Sequence, residues 1–393
     1  MHGPASRLLI DLSQFAGAPS HSGIQRVLSE MLRHWPLHVQ PADVAILVHG
    51  VHHVVPLASV NHVLERFFQD VANQTALQSM QSSLISHAVR KAQPDDLDGS
   101  YAGYFLPEPT WREDVLNSLD RWRRRRIGSV FALMFDALPQ SNPEVFAQAH
   151  QEATSRYFRL VAGLNNVACI SLAARQCLES RLRRQPLANC IVVPPGADAL
   201  PVVARARPAT PSFVMLGTVE PRKHHKTVLE AFERLWRSGY AWPLTIIGAP
   251  GWHDQEFLRS LRTRATAEPQ RLVWLEAAND QEIAQAFAKA TAVLYVSEQE
   301  GYGVPAVEAL AAGCPVVAHH SLPALAGLSP AGQIRLSDVT PDSVLAAAQA
   351  AADAERDHVL SNEAKSHALP SWRDFAPRLA AWIAETLAVQ RGT

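Results

Sequence analysis

The sequence predicts an α/β protein built from two Rossmann-like, doubly wound parallel sheets. Three observations carry that prediction. Short apolar runs alternate with amphipathic helical stretches in both halves of the chain, as parallel sheets with crossover helices require. A proline-rich passage, Pro194-Pro195-Gly196 followed by Pro201–Pro211, interrupts the alternation near its middle and reads as a linker. The chain has 393 residues, long for one core and comfortable for two.

The first half opens with Arg7-Leu-Leu-Ile-Asp11, a short buried strand, then a Gly/Ser/Pro-rich loop and a helix over Ile24–Trp35. Ile24, Val27, Leu28, Met31 and Leu32 recur there at helical spacing. Ala45–Val48, Ser129–Met134, Val167–Ile170 and Cys190–Val193 read as further strands. After the linker, Phe213–Leu216 is a strand that turns through Gly217–His225 into a helix with Val228, Leu229, Phe232, Leu235 and Trp236 on one face. Leu244–Gly248 is the next strand. Asn279-Asp-Gln-Glu282 has the form of a capping box for a helix carrying Ile283 and Phe287. Ala292–Val296 and Pro315–Ala318 are strands on either side of one more helix. A last helix, about Arg373–Leu387, sets Phe375, Leu379, Trp382 and Ile383 on one face and must dock on an apolar surface. The resulting domains are residues 1–205 and 206–372, with 373–393 as a C-terminal helix.

Composition excludes several classes. The apolar fraction of 47% and charged fraction of 19% fit a globular protein, and the net charge of -1 gives no pull toward nucleic acid. No apolar stretch is long enough to span a bilayer, and no cleavable signal pattern opens the chain. Cys169, Cys177, Cys190 and Cys314 have no paired spacing and read as buried small hydrophobes in a reducing compartment. A cytoplasmic protein is expected, either free or resting on the inner face of the plasma membrane.

The chemistry concentrates in two loops of the second half. Glu300-Gly-Tyr-Gly-Val-Pro-Ala-Val-Glu308 sets two carboxylates on either side of a glycine-rich loop and a helix start. Pro305 suits the beginning of that helix and Gly313 its end. Unpaired N–H groups at such a start seat a phosphate, and a carboxylate beside the seat accepts hydrogen bonds from sugar hydroxyls. The second loop, Gly217-Thr-Val-Glu-Pro-Arg222-Lys223-His-His-Lys226, follows a strand and gathers cations. It holds two of the five lysines of the chain. Arg222 and Lys223 at the carboxyl end of a strand suit a diphosphate, whereas Lys226 reads as a solvated helix start. A glycosidase acid/base pair would also need two carboxylates, but would leave the cations and the phosphate seat without a task.

These two loops together resemble the retaining glycosyltransferases of family 4, which have the GT-B architecture. The likeness extends to Asn279–Glu282 and to Val192-Val-Pro-Pro-Gly196-Ala-Asp198. In the first half it includes Ser22-Gly23-Ile24-Gln25-Arg26 and Phe135-Asp136-Ala-Leu-Pro139 with Pro143-Glu144, which are similar to segments of bacterial polysaccharide and O-antigen mannosyl- or rhamnosyltransferases. The resemblance implies that Glu308 binds the ribose and that Glu300 meets hydroxyls of the donor sugar. The diphosphate would fall to Arg222, Lys223 and the backbone of Gly303 and Val304. Gly301, Tyr302 and Gly217 complete the donor side, and Gly23 lets the first-domain loop come close to the donor. Asp136 and Arg26 lie toward the sugar or acceptor, and the C-terminal helix, 373–393, packs back on the first domain. No metal and no cofactor are expected, because cations and helix start supply the charge. The implied reaction moves a hexosyl group, mannosyl from GDP-mannose first, from a nucleoside-diphosphate sugar to a saccharide acceptor, lipid-linked in many relatives. A nucleotide-sugar epimerase and a non-catalytic sugar-nucleotide binder share the architecture and are the alternatives. The chain departs from the family at Phe135 (histidine in some members), His224 (usually asparagine), Ala324 (commonly glutamate) and Thr218 (arginine in some).

Three other signals have plain readings. Asp96-Leu-Asp98 has a metal-binding form but lies in a polar turn. His49, His52 and His53 have no acid or thiol nearby and read as turn and surface histidines. Arg121-Trp-Arg-Arg-Arg-Arg126, with Trp111, is either a solvated helix face or a patch for an anionic membrane surface.

Overall fold

The computed structural model describes residues 7–71, 74–97, 99–125, 128–141, 148–182, 187–206, 208–251 and 254–391. Asp98, Arg126, Pro143 and Glu144 lie outside the described residues. The chain forms two compact units, Met1–Pro195 with Ser371–Thr393, and Gly196–Pro370.

Among the described residues the first unit has eight strands: β1 (Leu8–Asp11), β2 (Ala42–Val48), β3 (Val51–Val55), β4 (Arg90–Ala92), β5 (Gly103–Leu106), β6 (Ser129–Met134), β7 (Asn166–Cys169) and β8 (Asn189–Val192). Their order is β4-β3-β2-β1-β5-β6-β7-β8. β1 is buried along its whole length, which explains its apolar run Leu8-Leu9-Ile10. The sheet is not wholly parallel, because β3 runs antiparallel to both β2 and β4. The reason is local. His49 and Gly50 both have positive φ, 50° and 78°, and close a two-residue hairpin between β2 and β3. A parallel return would need a crossover of about a dozen residues. The hairpin also corrects the reading of its histidines. His49 is in the turn, but His52 and His53 are buried on β3, and His52 Nε2 lies 3.0 Å from Ser118 Oγ.

After β1 a short helix, Ser13–Gly17, takes up the start of the expected loop, and the next helix spans Gly23–Arg33, capped by Ser22, whose hydroxyl accepts the Gln25 N–H. Val27, Leu28, Met31 and Leu32 form its buried face. The last helix, Trp372–Arg391, belongs to this unit. It buries Phe375, Leu379 and Ile383, stacks Trp382 edge-on to Phe131 at 5.5 Å, and donates from Trp382 Nε1 to Asn189 at 2.8 Å.

The unit boundary falls at Pro195/Gly196, ten residues before the expected 205, because the proline-rich passage is tied to the second unit. Arg205 donates to the Phe287 carbonyl at 2.9 Å, and the Ala206 N–H donates to Ala288. All four cysteines are free thiols. Cys169 and Cys314 are buried as expected, while Cys177 and Cys190 are only half-buried.

Among the described residues the second unit has six parallel strands: β9 (Phe213–Leu216), β10 (Leu244–Ile247), β11 (Leu272–Leu275), β12 (Ala292–Tyr295), β13 (Val316–His319) and β14 (Gln333–Leu336). Their order is β11-β10-β9-β12-β13-β14. Helix His225–Arg237 packs Val228, Leu229, Phe232 and Leu235 on the sheet, with Phe232 edge-on to Phe213 at 5.3 Å. Each such fully buried side chain contributes about 2–3 kcal/mol. The strand order reverses between β9 and β12, so the chain leaves that point in opposite directions and opens a crevice at the carboxyl ends of the two strands.

Candidate active site

Both chemically loaded loops begin at that reversal. After β9, the chain passes Gly217 and makes a tight turn over Pro221–Lys223 before His224 opens the next helix. After β12, it runs through Ser297–Gly303 into helix Val304–Ala311. Gly303 is the N-cap of that helix at φ 106°, and a Cβ there would stand 2.7 Å from Leu322 Cδ1. Pro305 lies in the first turn, and Gly313 follows the end at φ 72°. The glycine-rich approach is thus a requirement of backbone geometry and close packing.

The two loops meet through charge. Lys223 is only 9% exposed, and its Nζ lies 3.0 Å from Glu300 Oε1. It also lies 3.4 Å from the Tyr295 hydroxyl and 5.1 Å from the centre of that ring. Arg222 Nη1 reaches the same Glu300 oxygen at 3.0 Å and donates to the Gln299 carbonyl at 2.8 Å. Its Nε donates to Glu220 at 2.8 Å. Burial by itself would raise the Glu300 carboxyl, but Lys223 and Arg222 overcome burial and bring it down to about 2. Glu300 is therefore an anion at neutral pH. A Cβ on Gly217 would lie 3.0 Å from Lys223 Nζ and 3.1 Å from its Cδ, so glycine there leaves the lysine room to reach across.

Other sequence-selected residues fall around this pair. Gly301, Tyr302, Gly303 and Val304 complete the loop after Glu300, with Tyr302 buried and its hydroxyl pushed up to about 12 by burial. Glu308 is on the helix beyond the loop and only 1% exposed. No acid stands in the first turn of that helix, so Glu308 is not a simple first-turn complement to its dipole. Lys226 is exposed, as its plain reading required.

Three selected residues belong to the first unit. Asp136 follows β6 and accepts the Leu138 N–H at 3.0 Å, which closes a turn. Gly23 is exposed, with no atom within 4 Å of an added Cβ, and Arg26 is half-buried on the same helix.

Sequence reasoning missed several buried polar groups. Tyr295, the last residue of a strand at the reversal point, was discoverable from its position. Glu108 stands just beyond β5 and is 3% exposed; it accepts the Phe15 N–H at 2.5 Å. Burial pushes its carboxyl up to about 8. Gln25 ties the preceding loop by accepting the Ser20 N–H at 2.5 Å and donating to the Ala18 carbonyl at 3.1 Å. The signal for Glu108 was an acid directly after a strand, but only the fold reveals that Phe15 faces it.

Among the described residues, no cluster of three or more histidine, cysteine or acidic side chains is arranged to hold a metal ion. On helix Glu113–Arg125, Arg121, Arg123, Arg124 and Arg125 are exposed and Trp122 is buried. Trp111, just before it, is 46% exposed. No helix among the described residues is long and apolar enough to cross a membrane.

Residues 200–366 match the family model of glycosyl transferases group 1. Over 337 residues the chain is 27% identical to the serotype-specific mannosyltransferase WbdA of Escherichia coli, covering 79% of this chain and 38% of that protein. It is 33% identical over 135 residues to O-antigen chain mannosyltransferase B of Escherichia coli, covering 33% of this chain and 35% of that protein. The chain therefore spans well under half the length of these relatives. Among solved structures, Anabaena Alr3699/HepE in complex with UDP and glucose superposes with a TM-score of 0.64 at 16% identity, covering 98% of this chain and 100% of that one. WaaG, a glycosyltransferase involved in lipopolysaccharide biosynthesis, superposes with a TM-score of 0.57 at 11% identity, covering 95% of this chain and 98% of that one.

Proposed function

We propose, from the premise that this chain has the GT-B glycosyltransferase fold and resembles O-antigen mannosyltransferases, that it transfers a hexosyl group from a nucleoside-diphosphate sugar to a saccharide acceptor. The observation that carries the reading is the single Glu300 oxygen held by both Lys223 and Arg222 at the strand-order reversal. Two cations on one buried carboxylate are weak evidence of a purely structural role, since apolar residues of similar volume in place of a buried ion pair often give equal stability. They have a chemical need. When the sugar–phosphate bond breaks, a diphosphate gains negative charge, and preorganised cations stabilise that charge in the transition state.

In the proposed reaction, the anomeric carbon loses its bond to the diphosphate oxygen and gains one to the acceptor oxygen. The acceptor's proton passes to the departing diphosphate, and the same-face course retains configuration. Arg222, Lys223 and the N–H groups at Gly303 and Val304 hold the diphosphate, so the reading requires no metal. Glu300, kept anionic, accepts hydrogen bonds from donor-sugar hydroxyls, and Glu308 holds the ribose. Gly301, Tyr302 and Gly217 shape the donor loop. Gly23, Arg26 and Asp136 of the first unit serve the sugar or acceptor side.

The mannosyltransferase relatives make GDP-mannose the first donor to test and polysaccharide assembly the setting. UDP is the competing nucleotide, bound by the structural relative from Anabaena. A lipid-linked acceptor at the cytoplasmic face of the membrane, reached with the basic helix Glu113–Arg125, completes the proposal. The test incubates the protein with GDP-mannose and a panel of UDP- and dTDP-sugars, with and without mannose- or rhamnose-terminated acceptors, in the presence of a chelator. Nucleotide released only with acceptor supports transfer. An epimerised donor without acceptor, or donor binding without turnover under any condition, overturns it.

A further inference from the structure

We propose that Tyr295 is a positioning residue for the transfer reaction: its hydroxyl, shared between Lys223 and Glu300, holds the lysine so that its remaining N–H is kept for the departing diphosphate. The inference rests on the transfer reaction proposed above and adds to it a residue that neither loop contains. Tyr295 ends β12, a strand buried along its whole length, and is itself 4% exposed. Its three predecessors, Ala292, Val293 and Leu294, are apolar and wholly buried, so a phenylalanine would pack there equally well. A phenol brings a hydroxyl that must find partners out of water. It finds them in the two residues to which the chemistry is assigned. Lys223 Nζ donates to the hydroxyl oxygen at 3.4 Å. Burial and the Glu300 charge hold the phenol well above its ordinary range, so its proton stays on and is donated to Glu300.

The consequence comes from counting protons. A lysine ammonium has three N–H donors and no acceptor. Lys223 commits one to Glu300 at 3.0 Å and one to Tyr295, and these are its side-chain hydrogen-bond partners among the described residues. The third is left for a ligand. Held by Glu300 alone, a flexible four-carbon side chain could swing about that one contact. Tyr295 supplies a second anchor from the strand, and its ring, with its centre 5.1 Å from Nζ, attracts the ammonium as well. On another side stands Gly217, directly after β9, where an added Cβ would lie 3.0 Å from Nζ. Since β9 and β12 are paired, the lysine is confined by the ends of the two strands at the reversal point. A donor fixed in advance stabilises the charge that grows on the diphosphate as its bond to the sugar breaks, with no reorganisation at that moment. The bound ground state has Arg222 and the helix start at Gly303 and Val304 as well, so loss of the hydroxyl should show in turnover more than in binding.

The test compares wild type with Tyr295→Phe, which removes the hydroxyl and keeps the ring. Turnover is read with GDP-mannose and a mannose-terminated acceptor, or with the donor and acceptor that replace them in wild type. Nucleotide affinity is read by calorimetry with GDP and UDP, and folding by circular dichroism at the assay temperature. The expected result is a folded variant with kcat lower by about tenfold, and with donor KM and nucleotide affinity within about twofold of wild type. A hydroxyl that serves only packing would move the thermal midpoint and leave the kcat of the folded protein alone. A kcat within about twofold of wild type therefore overturns the inference. So does a nucleotide affinity that falls as far as kcat/KM, or a variant that fails to fold. Each of these outcomes leaves the proposed transfer standing, because wild type still turns over. A wild type that moves no sugar with any donor and acceptor overturns both.

Discussion

Lys223 Nζ stands 3.0 Å from Glu300 Oε1, and 77 residues of chain separate the two. The contact exists because β9 and β12 are neighbours in a sheet whose order reverses between them. It keeps Glu300 ionised and Lys223 fixed before any ligand arrives, so the diphosphate of the proposed donor would meet cations that are already placed.

Glu300→Gln should remove the anion and keep the shape. Transfer should fall by about a hundredfold or more, while nucleotide affinity stays within a few-fold of wild type. Acceptor-dependent nucleotide release and calorimetry read the two quantities. Unchanged turnover would falsify the assignment of Glu300 to the donor sugar.

Lys223→Met should be costly to the fold as well as to the reaction. It leaves Glu300 buried with Arg222 as its remaining cation, and breaking a buried pair costs about 3–5 kcal/mol. Urea unfolding measures that loss. A variant as stable as wild type would show that the pair is already well hydrated.

The same pair sets an acid limit. Glu300 is held at about 2 against an ordinary 4.5, so its contribution to stability is present above 4.5 and is lost as pH falls toward 2. In Glu300→Gln, stability should decline less steeply across that window. Unfolding midpoints at successive acid pH values supply the comparison.

Glu108 has the opposite sign. Its folded carboxyl titrates at about 8 against an ordinary 4.5, so the folded state holds a proton that the unfolded state has released. Its contribution to stability therefore falls as pH rises from 4.5 to 8. Glu108→Gln should flatten this decline and gain in relative thermal midpoint above pH 8. Parallel curves for the two proteins would show that the carboxyl titrates normally.

Gly303→Ala should strain the loop after Glu300. The new Cβ meets Leu322 at a backbone angle of φ 106° that alanine rarely adopts. The expected cost is about 1–3 kcal/mol, with weaker nucleotide binding because the helix start is displaced. Thermal unfolding and calorimetry test both.

Much of this was legible from local pattern. The apolar runs of β6 and β9 gave their strands residue for residue, and the Asn279–Glu282 capping box is present with both hydrogen bonds. Glycines and Pro305 marked the helix start because their constraints act within a few residues. The β2–β3 hairpin is hard to read from the sequence, although His49-Gly50 is a turn signal, because Val51–Val55 lacks the polar alternation of a strand with one wet face. Glu108 stayed hidden because a buried acid looks like any other acid until its neighbours are known.

By itself, the sequence marked the candidate residues: two carboxylates about a glycine loop, and Arg222 with Lys223 after a strand. The tertiary structure decided what those residues do to one another. Strand order brought Lys223, Arg222 and Glu300 to a single oxygen, buried Glu308, and tied Asp136 into a turn. It also drew the unit boundary back to Pro195, through hydrogen bonds from Arg205 and Ala206 that no linker composition could foretell. The physical reason is range. Propensities, caps and turns act over a few residues of chain, whereas charge pairing and desolvation depend on distances in space that only the assembled sheet sets.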